Sequence, residues 1–301
     1  MPHEIDRILR SAAAMPWAID PAKAEEILGV LAFRVQNGVV DQPKPQAAAG
    51  QGSFSTGDEI AVLSLTGTVF PRANMLGVLS GGQSLEMFQS RFQEAARDPK
   101  VRAIVLDIDS PGGAVGLVPE TAAMIREARD PDRPITAVAN TLAASAAYWI
   151  ASAADEIVVT PSGHVGSIGV YSVHDDISRA LEQRGIRRSI ISAGPRKVEG
   201  HSAAPLDDTA RASVKREIDA LYEEFVGFVA TTRNADPTVV AADPEDADQH
   251  FGGGRTVRAA EAVRLGMADR VGTLSETINR LSDPDRGRRR TSLARARMHM
   301  I

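Results

Sequence analysis

The chain has no cysteine among its 301 residues. This absence excludes disulfide bonds, thiolate metal ligands and a cysteine nucleophile. Aromatic residues are also few, and no apolar run reaches the roughly 20 residues that a membrane-spanning helix requires. The N-terminus carries acidic residues with no long apolar stretch behind it, unlike a secretory signal. We therefore expect a cytoplasmic protein without a membrane anchor.

Lysine is scarce as well. Of the 34 basic residues, only Lys23, Lys44, Lys100, Lys197 and Lys215 are lysines, and all the others are arginines. A desolvated lysine can lose its proton and act as a base, whereas arginine cannot do so near neutral pH. These few lysines are therefore candidates for chemistry.

The net charge of -5 argues against a protein that binds nucleic acid over its whole surface. Arginines are concentrated only at the end of the chain, between Arg286 and Arg297. We expect this basic tail, residues 283–301, to be disordered. Contact of the tail with nucleic acid or an acidic partner is the less favoured alternative.

The composition along the chain predicts four regions. Residues 1–41 contain two short helical patterns, 4–15 and 21–35, and form an N-terminal extension. Residues 42–57 are rich in Pro, Gln, Ala, Gly and Ser, which is typical of a linker. The compact domain then spans residues 58–282, ahead of the basic tail.

Strand and helix patterns alternate through the first half of this domain. The predicted strands cover residues 60–65, 103–108, 135–139, 156–160 and 188–192, and the predicted helices between them cover 84–97, 118–129 and 145–153. Strands separated by helices indicate parallel βαβ units. A long helix, 207–233, and a final helix, 259–265, follow. The sequence therefore predicts an α/β domain with helices packed on a parallel sheet.

The segment Asp109-Ser-Pro-Gly-Gly113 directly follows an apolar strand. Ligand sites of open α/β folds lie at the carboxyl ends of parallel strands. A glycine backbone N–H at this place could stabilise the oxyanion that forms when a hydroxyl attacks a carbonyl. We assign this role to Gly113, with Gly112 needed for the turn. A plain turn between strand and helix is the alternative.

A second segment, Leu142 to Ala151, places Ser145 among alanines at the start of a predicted helix. The helix N-terminus favours developing negative charge, and the N–H of Ala146 could reach the same oxyanion. Ser145 is thus a candidate nucleophile. Its alternative role is that of an ordinary helix N-cap.

Lys197, in the segment Ala193 to Gly200, is the candidate base. Only a neutral amine can accept the serine proton, so Lys197 would have to be buried, whereas surface exposure is usual for lysine. Between the two residues lies a turn of small residues, 160–170, in which Ser167 could hydrogen-bond the lysine.

Histidine offers a competing arrangement. His164 or His174 could serve as the base of a Ser-His-Asp triad with one of the carboxylates Asp155, Asp175 and Asp176. The residues alone do not separate the lysine and histidine alternatives. A metal site built on the two histidines is weaker, because no ligand spacing supports it.

Taken together, these segments resemble the S49 peptidases, which include bacterial signal peptide peptidase A and head-maturation proteases of tailed phages. The resemblance covers roughly residues 60–281 and rests on Asp109 to Gly113, Ala144 to Asp155, Val165 to Val170, Gly194 to Lys197 and Ala259 to Asp269. It implies a ClpP/crotonase-like fold, no cofactor or metal, and assembly into a homo-oligomer. It also implies a Ser-Lys dyad, with Ser145 as nucleophile, Lys197 as base, Ser167 orienting the lysine, and Gly113 and Ala146 as oxyanion donors.

Within this family the chain is most similar to the phage and prophage members. Its Met15 to Pro21 segment resembles the start of those proteases, and Ala146-Ala147 stands where many other relatives have Gly-Gly. The resemblance implies capsid, portal or scaffold proteins as substrates. The alternatives are a soluble peptidase like signal peptide peptidase, a crotonase-type acyl-CoA enzyme, and a catalytically silent capsid assembly module.

Overall fold

A computed structural model of the chain describes residues 16–20, 59–73 and 82–283. The predicted N-terminal helices, the linker and all of the basic tail except Asp283 lie outside these residues. No helix in the described ranges is both long enough and apolar enough to cross a membrane.

The strands of the described residues are β1 Trp17–Ile19, β2 Ile60–Thr66, β3 Val69–Phe70, β4 Gln83–Ser84, β5 Ala103–Ser110, β6 Gly112–Ala114, β7 Ile135–Ala144, β8 Glu156–Val159, β9 His164–Gly166, β10 Thr256–Arg258 and β11 Arg270–Val271. The helices are α1 Leu85–Arg97, α2 Val118–Glu127, α3 Ala146–Ser152, α4 Ser178–Gln183, α5 Asp208–Arg233, α6 Pro237–Val240, α7 Ala259–Arg264 and α8 Leu274–Ser282.

The larger sheet is almost entirely parallel. Parallel pairing joins the strands β2, β5, β7, β8 and β11 in that order. The C-terminal end of β7 also pairs in parallel with β9, and β9 pairs antiparallel with β10. A smaller sheet has the order β1-β6-β3-β4. The predicted α/β architecture with a parallel sheet is therefore confirmed.

The central strand β5 is buried on both faces, as its continuous apolar sequence indicates. Ile104, Leu106 and Ile108 pack into the main core with helices α1, α2, α3 and α5. Ala103 and Val105 point to the opposite face, where Leu281 of α8 covers them. The sheet is thus a central layer between helices.

The helix α8 is absent from the sequence prediction, which ends its helices at residue 265. Two features of the structure define this helix. Thr273 and Glu276 form a capping box at its start, and Leu274 and Ile278 pack against the apolar cluster that also contains Ala103 and Val105. Because the helix is short, its apolar residues repeat over too few turns for the sequence to predict a helix there.

The predicted strand 188–192 is wrong. These residues are exposed coil, and the side chain of Ile191 is 98% exposed. A strand is stable only when its backbone groups pair with a neighbouring strand, and no described strand lies beside this segment. The adjacent apolar residues Ile190 and Ile191 therefore remain exposed in the single chain.

The long helix α5 matches its prediction closely. Asp207 caps its start by accepting a hydrogen bond of 2.8 Å from the Ala210 N–H. Near its C-terminal end, Phe225 is fully buried and stacks on Trp149 of α3, with 4.4 Å between ring centroids and 7° between planes. This stack attaches α5 to the helix that follows Ser145.

We expect Phe225→Ala to lower the free energy of unfolding by about 3–5 kcal/mol, because it removes a buried ring and leaves a cavity under Trp149. Chemical denaturation followed by tryptophan fluorescence and by circular dichroism measures the change. Tyr222→Ala, on the same helix but only partly buried, is the control and should cost less. A loss at Phe225 no larger than at Tyr222 would contradict this account.

Candidate active site

Ser145 occupies a sharp turn between β7 and α3. Its backbone has φ 55° and ψ −119°, a region that disfavours any residue with a side chain. Its N–H donates to the Gly166 carbonyl at 2.7 Å, and its carbonyl accepts from the Trp149 N–H at 2.9 Å. Ser145 is 1% exposed. The strained turn thus holds a nearly fully buried serine between the end of β7 and the start of α3.

The hydroxyl of Ser145 does not cap the helix. Ser145 stands at the N-cap position of α3, but no N–H of the helix donates to its side chain. Its hydrogen bond instead runs to the Gly169 carbonyl at 3.4 Å. This long bond leaves the oxygen available for other partners.

The helix α3 is buried along its whole length. Its alanines allow close packing, while Tyr148 donates to the Met267 carbonyl at 2.9 Å and Trp149 stacks on Phe225. Burial also raises the pKa of Tyr148 above its ordinary value. These contacts fix the first turn of the helix, and with it the N–H of Ala146.

Gly112 lies against this first turn. A Cβ atom on Gly112 would stand 3.0 Å from the Ala146 nitrogen and 2.9 Å from the Ala144 carbonyl oxygen, and the φ of Gly112 is +93°. Only glycine tolerates both constraints. The structure therefore brings Gly112 close to the N–H of Ala146.

Gly113 follows on strand β6. A Cβ atom on Gly113 would stand 2.0 Å from the Val69 carbonyl oxygen, so this position also requires glycine. Ser110, which the sequence analysis did not single out, supports the turn: its hydroxyl donates to the Gly67 carbonyl at 2.7 Å and accepts from the Gly112 N–H at 3.2 Å. The sequence feature that could have identified Ser110 is its position within the segment Asp-Ser-Pro-Gly-Gly.

Strand β7 bends before it reaches Ser145. Its first half pairs with β8 and its last three residues pair with β9, and Thr141 at the bend has φ 91°. The Thr141 hydroxyl donates to Asp109 at 2.5 Å, and Asn140 donates to Asp107 at 3.0 Å. Burial raises the pKa of Asp107, the Asn140 bond opposes this, and nearby Asp109 adds to it. The two hydrogen bonds at the bend therefore connect the C-terminal part of β5 to β7.

Ser167 lies directly after β9, beside the Ser145 turn. It is buried, has φ 55°, and its N–H donates to the Arg255 carbonyl at 2.9 Å. Because Gly166 pairs with Ala144, Ser167 and Ser145 leave neighbouring strand ends. The predicted proximity of the two serines is consistent with this register.

Lys197 is not brought to this place in the single chain. It lies in an exposed turn over residues 195–200, and no described side chain forms a hydrogen bond or ion pair with its ammonium group. The segment that precedes it contains the coil 188–192. The predicted contacts of Lys197 with Ser145 and Ser167 are therefore not formed within one chain.

The histidine alternative finds no support in the described residues. The ring of His174 contacts the Ala204 carbonyl at 3.2 Å, and no hydrogen bond or ion pair joins His164 or His174 to a carboxylate. Asp155 instead accepts from the Ile135 N–H at 2.8 Å and pairs with Arg129. The same ranges hold no group of three or more His, Asp or Glu side chains arranged for a metal ion.

Two phage proteins are similar to this chain over most of its length. Capsid assembly protease C of Escherichia phage lambda is 33% identical over 264 residues, which are 88% of this chain and 56% of that protein. Head-tail preconnector protein GP5 of Enterobacteria phage P21 is 30% identical over 248 residues, or 76% of this chain and 49% of that protein. The chain thus spans about half the length of these curated relatives.

The solved structures are less similar to the chain in sequence than these two phage proteins are. The catalytic domain of the ClpP protease from Plasmodium falciparum has a TM-score of 0.41 and 14% identity, with 70% of this chain and 84% of that chain covered. Residue roles cannot be transferred at this distance. The sequence model of Peptidase family S49, in contrast, matches residues 127–286, which include the Ser145 turn, Ser167, Lys197 and α5. The chain belongs to peptidase family S49.

Proposed function

We propose that the protein is a serine endopeptidase in which Ser145 is the nucleophile and Lys197 the general base. The observation that carries this proposal is the strained, buried turn at Ser145, whose next N–H, that of Ala146, lies against the glycine pair of β6. Strain of this kind at a polar residue is typical of catalytic sites.

In the proposed reaction, neutral Lys197 accepts the proton of Ser145 while the Ser145 oxygen attacks the peptide carbonyl. The N–H groups of Gly113 and Ala146 stabilise the oxyanion, a contribution of about 3–4 kcal/mol for one such donor. Charged Lys197 then protonates the leaving amine, and water hydrolyses the acyl-enzyme with the same lysine as base. Ser167 orients the lysine.

The exposure of Lys197 supports a working form that is a homo-oligomer. Several large apolar residues of the segment that contains the lysine are exposed in the single chain; they are Ile186, Ile190, Ile191 and Val198, with Val173 earlier in the sequence. Packing of this segment against a second copy would bury these side chains and desolvate the amine, which favours its neutral form. The dyad then becomes complete only in the assembly.

The substrates that we infer are structural proteins of an assembling phage head. The names of the two phage relatives, a capsid assembly protease and a head-tail preconnector protein, support this class. Capsid, portal and scaffold chains would bind as extended strands. A bacterial relative, Protease 4 of Salmonella typhi, is 28% identical over 76% of the chain, so a general peptide-degrading role is the second candidate.

Ser145→Ala and Lys197→Arg should each lower the cleavage of casein, or of a co-expressed scaffold protein, by at least about 10⁴-fold. The first variant removes the nucleophile, and the second retains the charge but cannot give up a proton. The measurement is the release of peptides, together with labelling of Ser145 by a fluorophosphonate probe.

Lys100→Arg is the matched control, since Lys100 is also exposed, and it should behave as the wild-type protein. Full activity of folded Lys197→Arg would refute the dyad. Failure of the wild-type protein both to label and to cleave would instead favour the silent assembly module.

Gly112→Ala should lower the cleavage rate by about 10²–10³-fold, because the new methyl group would displace the Ala146 N–H from the oxyanion. The comparison variant is Gly227→Ala in α5, where a Cβ atom meets nothing within 4 Å. Steady-state rates of both variants, with circular dichroism to verify folding, provide the measurement. Equal rates would show that the glycine turn does not shape the oxyanion site.

Ile191→Asp should weaken the oligomer, because it places a charge where we infer an apolar contact. Light scattering after size-exclusion chromatography is expected to report a smaller particle and the activity assay a parallel loss. Met87→Asp introduces the same charge at an exposed apolar position of α1 and should change neither quantity. An unchanged particle mass in Ile191→Asp would exclude this surface as the interface.

A further inference from the structure

The N-terminal strand β1 fills the gap between β6 and Tyr171, next to the turn at Gly112; we call this gap the cleft. On one edge it pairs antiparallel with β6, where the Asp20 N–H donates to the Pro111 carbonyl at 2.9 Å. On its other edge, Trp17 and Tyr171 exchange two backbone hydrogen bonds of 2.9 and 3.0 Å. An extended segment bonded on both edges is held as a protease holds a peptide substrate.

The register between β1 and β6 places the Ala18 carbonyl at the N–H of Gly113, one of the two proposed oxyanion donors. Antiparallel neighbours alternate between hydrogen-bonded and non-hydrogen-bonded pairs. Asp20 bonds to Pro111, and the Val115 N–H donates to the Pro16 carbonyl at 3.3 Å. Ala18 and Gly113 lie midway between them, so the Gly113 N–H donates to the Ala18 carbonyl.

The second proposed donor, the N–H of Ala146, lies near the same carbonyl. The place where a Gly112 Cβ atom would stand is 2.2 Å from the Ala18 oxygen and 3.0 Å from the Ala146 nitrogen. The carbonyl of Ala18 and the N–H of Ala146 therefore lie on the same side of the Gly112 turn. No other described backbone carbonyl is paired with Gly113 on this edge of β6.

The nucleophile lies on the same side. The Ser145 hydroxyl bonds to the Gly169 carbonyl, two residues before the Tyr171 that pairs with Trp17. Ala18 and Ile19 are 0% and 3% exposed. A small buried residue thus supplies the carbonyl nearest to the first turn after Ser145, and a large apolar residue follows it.

We propose that the peptide bond between Ala18 and Ile19 is a self-cleavage site of this protein, an inference that rests on the proposed peptidase function. The Ser145 oxygen bonds to the Ala18 carbonyl carbon and its proton passes to Lys197. The bond from that carbon to the Ile19 nitrogen breaks, and the nitrogen takes the proton. Water then releases residues 1–18 with Ala18 as a carboxylate, which regenerates Ser145. The new N-terminus of the protein is Ile19.

Self-cleavage also opens the cleft. While β1 is in place, it uses the backbone groups of β6 that an external substrate would pair with. After cleavage, residues 1–18 are no longer covalently joined to the domain and can dissociate. Cleavage of added casein should therefore begin after a lag, and prior incubation of the enzyme should remove the lag.

The test is a time course of the purified full-length chain, followed by intact mass spectrometry and N-terminal sequencing. We expect the loss of residues 1–18 and a new terminus at Ile19, with no such product from Ser145→Ala. Ala18→Phe should suppress the product, because the buried site holds only a small side chain, while Ala18→Gly should retain it. Casein cleavage by each variant is measured in parallel.

The outcomes separate the two proposals. Wild-type protein that cleaves casein but keeps residues 1–18 would overturn self-cleavage and leave the peptidase function standing. Wild-type protein that does neither would contradict both. A product at Ile19 that also forms in folded Ser145→Ala would assign the cut to a contaminating protease and overturn the inference.

Discussion

The turn at Ser145 is the constraint on which the rest of the structure depends. A non-glycine residue at φ 55° and ψ −119° is destabilised by about 1–3 kcal/mol, so its surroundings must hold it there. The Ser145 N–H is held by Gly166, and its carbonyl begins the buried helix α3. The stack of Trp149 on Phe225 and the hydrogen bond of Tyr148 then anchor that helix to α5 and to the Met267 turn. The distant helix is therefore part of what keeps the serine in place.

This turn also explains the order of the strands. β7 pairs with β5 and β8 in the main sheet, and its last residues pair with β9, whose Gly166 carbonyl accepts the Ser145 N–H. The bend at Thr141, where φ is 91°, permits both pairings. Its bond to Asp109 holds the end of β5 nearby, so that the Gly-Gly turn and the serine turn face each other. Two strand ends are thus joined before any substrate is present.

Sequence reasoning succeeded where local pattern and parallel topology decide the outcome. Apolar runs predicted β2, β5 and β8, and the placement of Gly112 and Ser145 after neighbouring parallel strands predicted their proximity. It failed where a distant segment decides the outcome: β1 is a strand only because β6 and Tyr171 lie on its two sides. Residues 188–192 have a strand pattern but no partner in the chain. Lys197 belongs to that same segment, so its predicted place beside Ser145 depends on contacts that a single sequence does not contain.

In the self-cleavage that we propose, the position of β1 links the site to control of activity. A segment tethered to its own cleft competes at an effective concentration on the order of millimolar, which a separate substrate chain would rarely reach. The two edges of β1 already use the backbone groups of Gly113 and Tyr171 with which, under this proposal, an extended substrate would pair. Cutting after Ala18 removes the tether, and the segment must then compete as an ordinary solute. A protease that first encounters its own N-terminus would in this way stay closed to other chains until it had acted once on itself.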